Sequence, residues 1–169
     1  MFRSSLFLAA LVCLSFTCAN AGDIPFTAAG IASLKGKDIC ELKGDFYSRM
    51  GVYLDGQKDH VVKYLERDGM TAVFLLGKPL SDNCGIVDAV LDLTPLTRSG
   101  ETMEFKCYTN TEGGTTWTKW GHVIGLADNQ RGRKRFVRAR LAWRVNVPEK
   151  RFEPIGKKPV RCDTTGYED

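Results

Sequence analysis

Two histidines, a dense run of arginines and a small set of cysteines are the residues of this chain with chemistry to offer. Any catalytic histidine must be His60 or His122. His122 lies in Trp117-Thr-Lys-Trp-Gly-His-Val-Ile-Gly-Leu, where Trp120, His122, Ile124 and Leu126 share a face of an extended chain. An imidazole so placed is either a hydrogen-bonded histidine beside the core or a binding or catalytic group in the mouth of a barrel, between Trp120 and Arg140. His60 follows Asp59 after a turn and reads as a solvated strand end. There is no Gly-x-Ser-x-Gly and no His-Glu-x-x-His. The stretch from Gly125 to Gly132 lacks the Lys-Ser/Thr ending of a phosphate-binding loop. No cofactor motif is present. Asp88, Asp92 and Glu104 fall on outward phases of their runs, and read as a solvated face or as cross-strand partners of Lys106.

The arginines are the stronger lead. Arg131, Arg133, Lys134, Arg135, Arg138, Arg140 and Arg144 crowd one segment, although the whole chain carries a formal charge of only +4. Arginine forks match carboxylate and phosphate geometry, so Arg138, Arg140 and Arg144, with Arg133 at the strand end, would suit an anionic surface. The alternative is a solvated or salt-bridged outer face. An acidic protein or a cell-envelope component fits the row better than nucleic acid, because Phe136 is the only aromatic residue on that face to stack a base.

The element that must position this row is the segment from Lys134 to Val147. It alternates with a period of two: Val137, Ala139, Leu141, Trp143, Val145 and Val147 on one face, Phe136, Arg138, Arg140, Ala142, Arg144 and Asn146 on the other. A helix cannot gather that pattern into one apolar stripe, so the segment is a strand with its Trp143 face on a core. Arg138, Arg140 and Arg144 would then stand about 7 and 14 Å apart along the opposite face.

Other runs of strand type are Ile39–Leu42, Phe46–Leu54, His60–Glu66, Met70–Leu76, Ile86–Leu93, Glu101–Thr109, Thr116–Ala127 and Pro159–Cys162. Asp68-Gly69 between Arg67 and Met70 is the signal for a two-residue type I′ hairpin. Asp55-Gly56, Ser99-Gly100, Gly113-Gly114 and Asn129 to Gly132 mark further corners. Connections this short join antiparallel neighbours. The expectation is an all-β fold, an antiparallel meander of about eight strands closed into a small barrel or folded as a sandwich. Pairing Ile86–Leu93 with Glu101–Thr109 would set Leu91 against Met103 or Phe105. Thr27 could cap a short N-terminal helix ending at Gly36, with Ile31 and Leu34 inward.

Met1 to Ala21 has a basic residue near its start, an apolar run from Leu6 to Phe16, and Ala-Asn-Ala at its end, which is the pattern of a signal peptide cleaved after Ala21. The apolar run is too short to span a bilayer, which takes about 20 residues. Residues 22–169 then form a single all-β domain, secreted or periplasmic. Cys40, Cys84, Cys107 and Cys162 remain, an even set that reads as two disulfides in an oxidising compartment. Their wide separation and the lack of a nearby histidine argue against zinc. Cys107, Val160 and Cys162 point inward by phase, which favours Cys107 with Cys162 and Cys40 with Cys84. These readings predict an exported binding module, an inhibitor or immunity-type protein that recognises another macromolecule through the basic strand. The rivals are a small hydrolase using His122 and a lipid or small-ligand carrier with a barrel cavity.

Overall fold

The computed structural model describes residues 28–38, 47–54, 56–67, 69–81, 84–111, 114–116, 122–130 and 133–165. The described residues form two antiparallel sheets and one short helix. The first sheet contains β1 (Tyr47–Leu54), β2 (Gln57–Arg67), β3 (Met70–Ser81) and β4 (Cys84–Asp92), paired in chain order. The Arg67↔Met70 pairing closes the expected two-residue hairpin, with Gly69 at φ 77°; Asp68 lies outside the described residues.

The second sheet holds β5 (Glu101–Glu104), β6 (Cys107–Thr111), β7 (Gly114–Thr116), β8 (Val123–Asp128), β9 (Phe136–Asn146), β10 (Arg151–Pro154) and β11 (Val160–Asp163). Its order is β5-β8-β9-β11-β6-β7, with β10 also on β9. β9 is the alternating segment around Trp143, and three strands attach to it. β8 lines one of its edges, while β11 pairs along its first residues and β10 along its last.

The sheets meet across one buried cluster. Val62, Tyr64, Val73, Leu75, Ala89 and Leu93 come from the first, and Met103, Phe105, Ile124, Leu126, Trp143 and Val145 from the second. Trp143 is 6% exposed, as its phase predicts. The outer face of the first sheet is apolar too: Val61, Leu65, Ala72, Phe74, Leu76 and Val87 pack with Ile31 and Leu34. The helix α1 (Ala28–Ala32) supplies that cover, and the chain turns at Gly36 (φ 83°) and binds the edge of β4 through Gly36 N to Val87 O and Val87 N to Lys37 O, 2.7 and 2.9 Å.

Four expectations need correction. Among the described residues the sheets do not close into a barrel: the first ends at β1 and β4, the second at β5 and β7. The described residues hold eleven strands rather than about eight, because Glu101–Thr109 bends at Phe105 into β5 and β6, because the run Thr116–Ala127 touches both β7 and β8, and because β10 forms where no strand was expected. The meander holds for the first sheet only. Ile86–Leu93 does not pair with Glu101–Thr109: β4 lies beside β3, and β5 beside β8. Leu91 and Met103 do face a common core, but from opposite sheets, and residue phase reports the face a side chain takes without naming the neighbouring strand. The run Ile39–Leu42 lies outside the described residues.

Cys107 and Cys162 are bonded, as favoured from their phase, and sit directly opposite each other in β6 and β11. Both are buried with Val123, Ala127, Val137, Ala139, Ala142 and Val160 on the side of the second sheet that faces away from the shared core. Cys40 lies outside the described residues, and Cys84 begins β4.

Candidate functional site

A β-bulge decides what the arginine row can do. In β9, Leu141 pairs with Leu126 and Ala139 with Ala127, so Arg140 is an extra residue between two matched pairs. Paired residues share a face, and a bulge residue reverses the phase of the strand beyond it. Leu141, Trp143 and Val145 therefore face the inter-sheet core, whereas Val137, Ala139 and Ala142 belong to the disulfide side. Arg144, opposite Val123, is on the disulfide side as well, and Arg138 is on the other. The row expected on one face is broken: Arg138 and Arg144 point to opposite sides of the sheet.

Each arginine then has its own surroundings. Arg140 is half-buried, and its fork holds both oxygens of the Glu101 carboxylate, Nε to Oε1 at 2.5 Å and Nη2 to Oε2 at 2.6 Å, while Nη2 also donates to Leu96 O. This bonding holds the Glu101 carboxyl below the usual carboxylate range; burial works against it, and the amide of Arg98 adds to it. The same carboxylate raises the Arg140 guanidinium. Arg144 stands opposite Glu153 of β10. Arg135 lies 3.9 Å from the buried Asp163 and 4.9 Å over the Phe136 ring. Burial pushes Asp163 up, but hydrogen bonds from Thr165, with Lys106 and Arg135 nearby, bring it below its ordinary value. Arg133 is exposed in the turn before β9.

Arg138 differs from all of these. It is exposed, and its partner across β11 is another exposed arginine, Arg161. No ion pair neutralises either among the described residues. Beside Arg138 opens a cleft of about 490 Å³ lined by Arg98, Ser99, Glu101, Asp128, Arg138, Ala139 and Arg140. The cleft forms where β5 and β8 meet the bulge, with Gly100 (φ 83°) turning the chain into β5. It is polar and open, and suits an anion approached from solvent.

The histidines divide differently from expectation. His122 is a half-buried turn residue just before β8, and its carbonyl accepts the amide of Val145 at 2.9 Å. Trp120 lies outside the described residues, and the described strands form no barrel mouth for His122 to line. His60 is not a plain solvated end: its Nε2 is 3.7 Å from Oδ2 of the buried Asp88, whose Oδ1 accepts Lys150 Nζ at 2.6 Å. Asp88 is itself the extra residue of a bulge, between the pairs Leu75↔Ala89 and Leu76↔Val87. Glu104 is fully buried, contrary to the solvated face expected for it and for Asp88. Nothing local in the sequence marks the His60, Asp88 and Lys150 cluster, because strand pairing and the β9 to β10 turn bring its members together.

Among the described residues no helix is long and apolar enough to cross a membrane, and no group of three or more His, Cys, Asp or Glu could hold a metal ion. Comparison with protein-family models, with curated proteins and with solved structures finds no match.

Proposed function

We propose that the protein is an exported binding module, of inhibitor or immunity type, that recognises an anionic macromolecular surface through the Arg138 side of β9. The observation that carries this reading is the Arg138↔Arg161 pairing: two exposed guanidiniums on adjacent strands with no acidic partner among the described residues. Like charges directly opposite each other destabilise a sheet, and an anion laid across both removes that cost. Arg98 and the exposed Arg133 and Lys134 extend the positive field around the pair. The Cys107–Cys162 disulfide and the signal-peptide pattern at Met1 to Ala21 support the export part of this reading.

The test is retention of the full mature protein on immobilised heparin and on immobilised polyglutamate, a sulfated sugar and a carboxylate chain. Wild type is expected to be held on at least one and to elute as salt brings the screening length below about 10 Å. The Arg138→Gln, Arg161→Gln double variant is expected to pass through at low salt with an unchanged fold. Equal retention of the two proteins overturns the reading.

A further inference from the structure

We infer that the cleft beside Arg138 is a subsite for a phosphorylated sugar, with the phosphate against Arg138 and Arg98 and the sugar hydroxyls against Asp128 and Ser99. The inference rests on the anionic recognition proposed above and gives it a chemical class.

Three features point to this ligand. The first is charge. Arg140 and Glu101 neutralise each other through their two-pronged bond, which leaves two guanidiniums of the lining, Arg98 and Arg138, to meet an anion, with Asp128 as the other carboxylate. Two arginine forks suit a phosphate monoester, which carries about −1.5 to −2 at neutral pH and three acceptor oxygens. The second is donor and acceptor type. A site for bare phosphate gains nothing from a carboxylate, which repels it, whereas Asp128 and the Ser99 hydroxyl are the groups that accept and exchange hydrogen bonds with sugar hydroxyls. The third is form. A cleft of about 490 Å³ is in the range of small-ligand sites, and its open mouth takes a sugar ring with its phosphate.

Rigidity supports the geometry. Arg140 is tied to Glu101 and to the Leu96 carbonyl, and Asn129 N donates to Gly100 O at 2.9 Å, so both walls of the cleft are fixed before a ligand arrives. Arg98 and Arg138 keep their donors for the ligand.

Titration calorimetry of the mature protein with glucose 1-phosphate, inorganic phosphate and glucose tests the assignment. Glucose 1-phosphate is expected to bind at least tenfold more tightly than either of the others. Arg138→Gln is expected to weaken it tenfold or more. Asp128→Asn is expected to lower its affinity to that of inorganic phosphate while leaving inorganic phosphate as tight or tighter, a split that a merely structural role for Asp128 would not produce. Thermal melting of both variants checks that they fold. Equal affinity for the sugar phosphate and inorganic phosphate, or no binding of either, overturns the inference. If heparin or polyglutamate retention still depends on Arg138 and Arg161 in that case, the anionic surface reading stands without the sugar site; if that dependence is absent too, both fall.

Discussion

Arg140 grips Glu101 by both carboxylate oxygens, at 2.5 and 2.6 Å, from the extra position of a β-bulge. An arginine that sequence places in a recognition row is thus part of the framework, since it ties β9 to the start of β5 and to the Leu96 carbonyl.

Arg140→Gln is expected to cost about 2 kcal/mol at pH 7, because it leaves the Glu101 carboxylate, 4% exposed, without its main partner. The pH dependence comes from the lowered Glu101 value. A carboxyl depressed in the folded state contributes its stability in full above the unfolded value, about 4.3, and loses it as pH falls through the folded value below that. Urea denaturation at several pH values should show the gap between wild type and variant closing in acid. Arg138→Gln should stay within about 0.5 kcal/mol of wild type at every pH. A gap indifferent to acid would mean that Glu101 is not the group involved.

Trp143 sits at the centre of the shared core with Ile124, Leu126, Val73 and Leu75. Trp143→Ala is expected to cost about 3 to 5 kcal/mol, a large part of a domain's stability. Arg144→Ala, the next residue on the opposite face, is expected to cost less than about 1 kcal/mol. Denaturation midpoints of the two variants check the assignment of faces, and equal losses would overturn it.

Gly125 leaves room for the disulfide. A Cβ there would stand 2.9 Å from Ala139 Cβ, 3.1 Å from Cys162 Sγ and 3.3 Å from Cys107 Sγ. Gly125→Ala should therefore lower stability by about 1 to 3 kcal/mol, and Ala139→Gly in the same chain should restore part of it. The bond itself closes a loop of 55 residues, worth about 4 kcal/mol in the chain-entropy model. Both sulfurs are buried, so alkylation of Cys107 and Cys162 should require reductant and denaturant together. Denaturation midpoints measure the glycine's role, and labelling read by mass spectrometry measures the access of the sulfurs.

The sequence made local features legible. The face of Trp143, the inward phase of Cys107 and Cys162, the Arg67 to Met70 hairpin and the Ile31 and Leu34 contacts come from period and turn chemistry, and the structure has them. Two kinds of information were out of reach. Period does not say which strand is the neighbour, so β4 and β5 were joined although they lie in different sheets. Neither bulge carries a glycine signal, so the loss of phase at Arg140 and at Asp88 was invisible, and with it the splitting of the arginine row and the burial of Asp88. A bulge places a charged residue where strict alternation would put none, and at Arg140 and Asp88 that residue forms an ion pair.

The second bulge gives the last prediction. Asp88 belongs to the first sheet and Lys150 to the turn between β9 and β10 of the second, so their 2.6 Å bond joins the two sheets at one end of the core. Lys150 takes a left-handed conformation, φ 49°, at the end of that turn. Gly77 is what admits Asp88: a Cβ at Gly77 would lie 2.3 Å from Asp88 Oδ2, so any side chain there displaces the carboxylate from both Lys150 and His60. Gly77→Ala is expected to cost more than about 2 kcal/mol, since it strains the sheet and strips a buried carboxylate of its partners. Lys150→Ala should cost less than that, about 1 to 2 kcal/mol, because the lysine side chain is 57% accessible and Asp88 keeps His60 beside it. In the Asp88→Ala background the clash at Gly77 is gone, so adding Gly77→Ala should cost much less there than in wild type. Urea denaturation of the four proteins in that cycle measures the coupling, and additive losses would show that Gly77 is not shaped around Asp88.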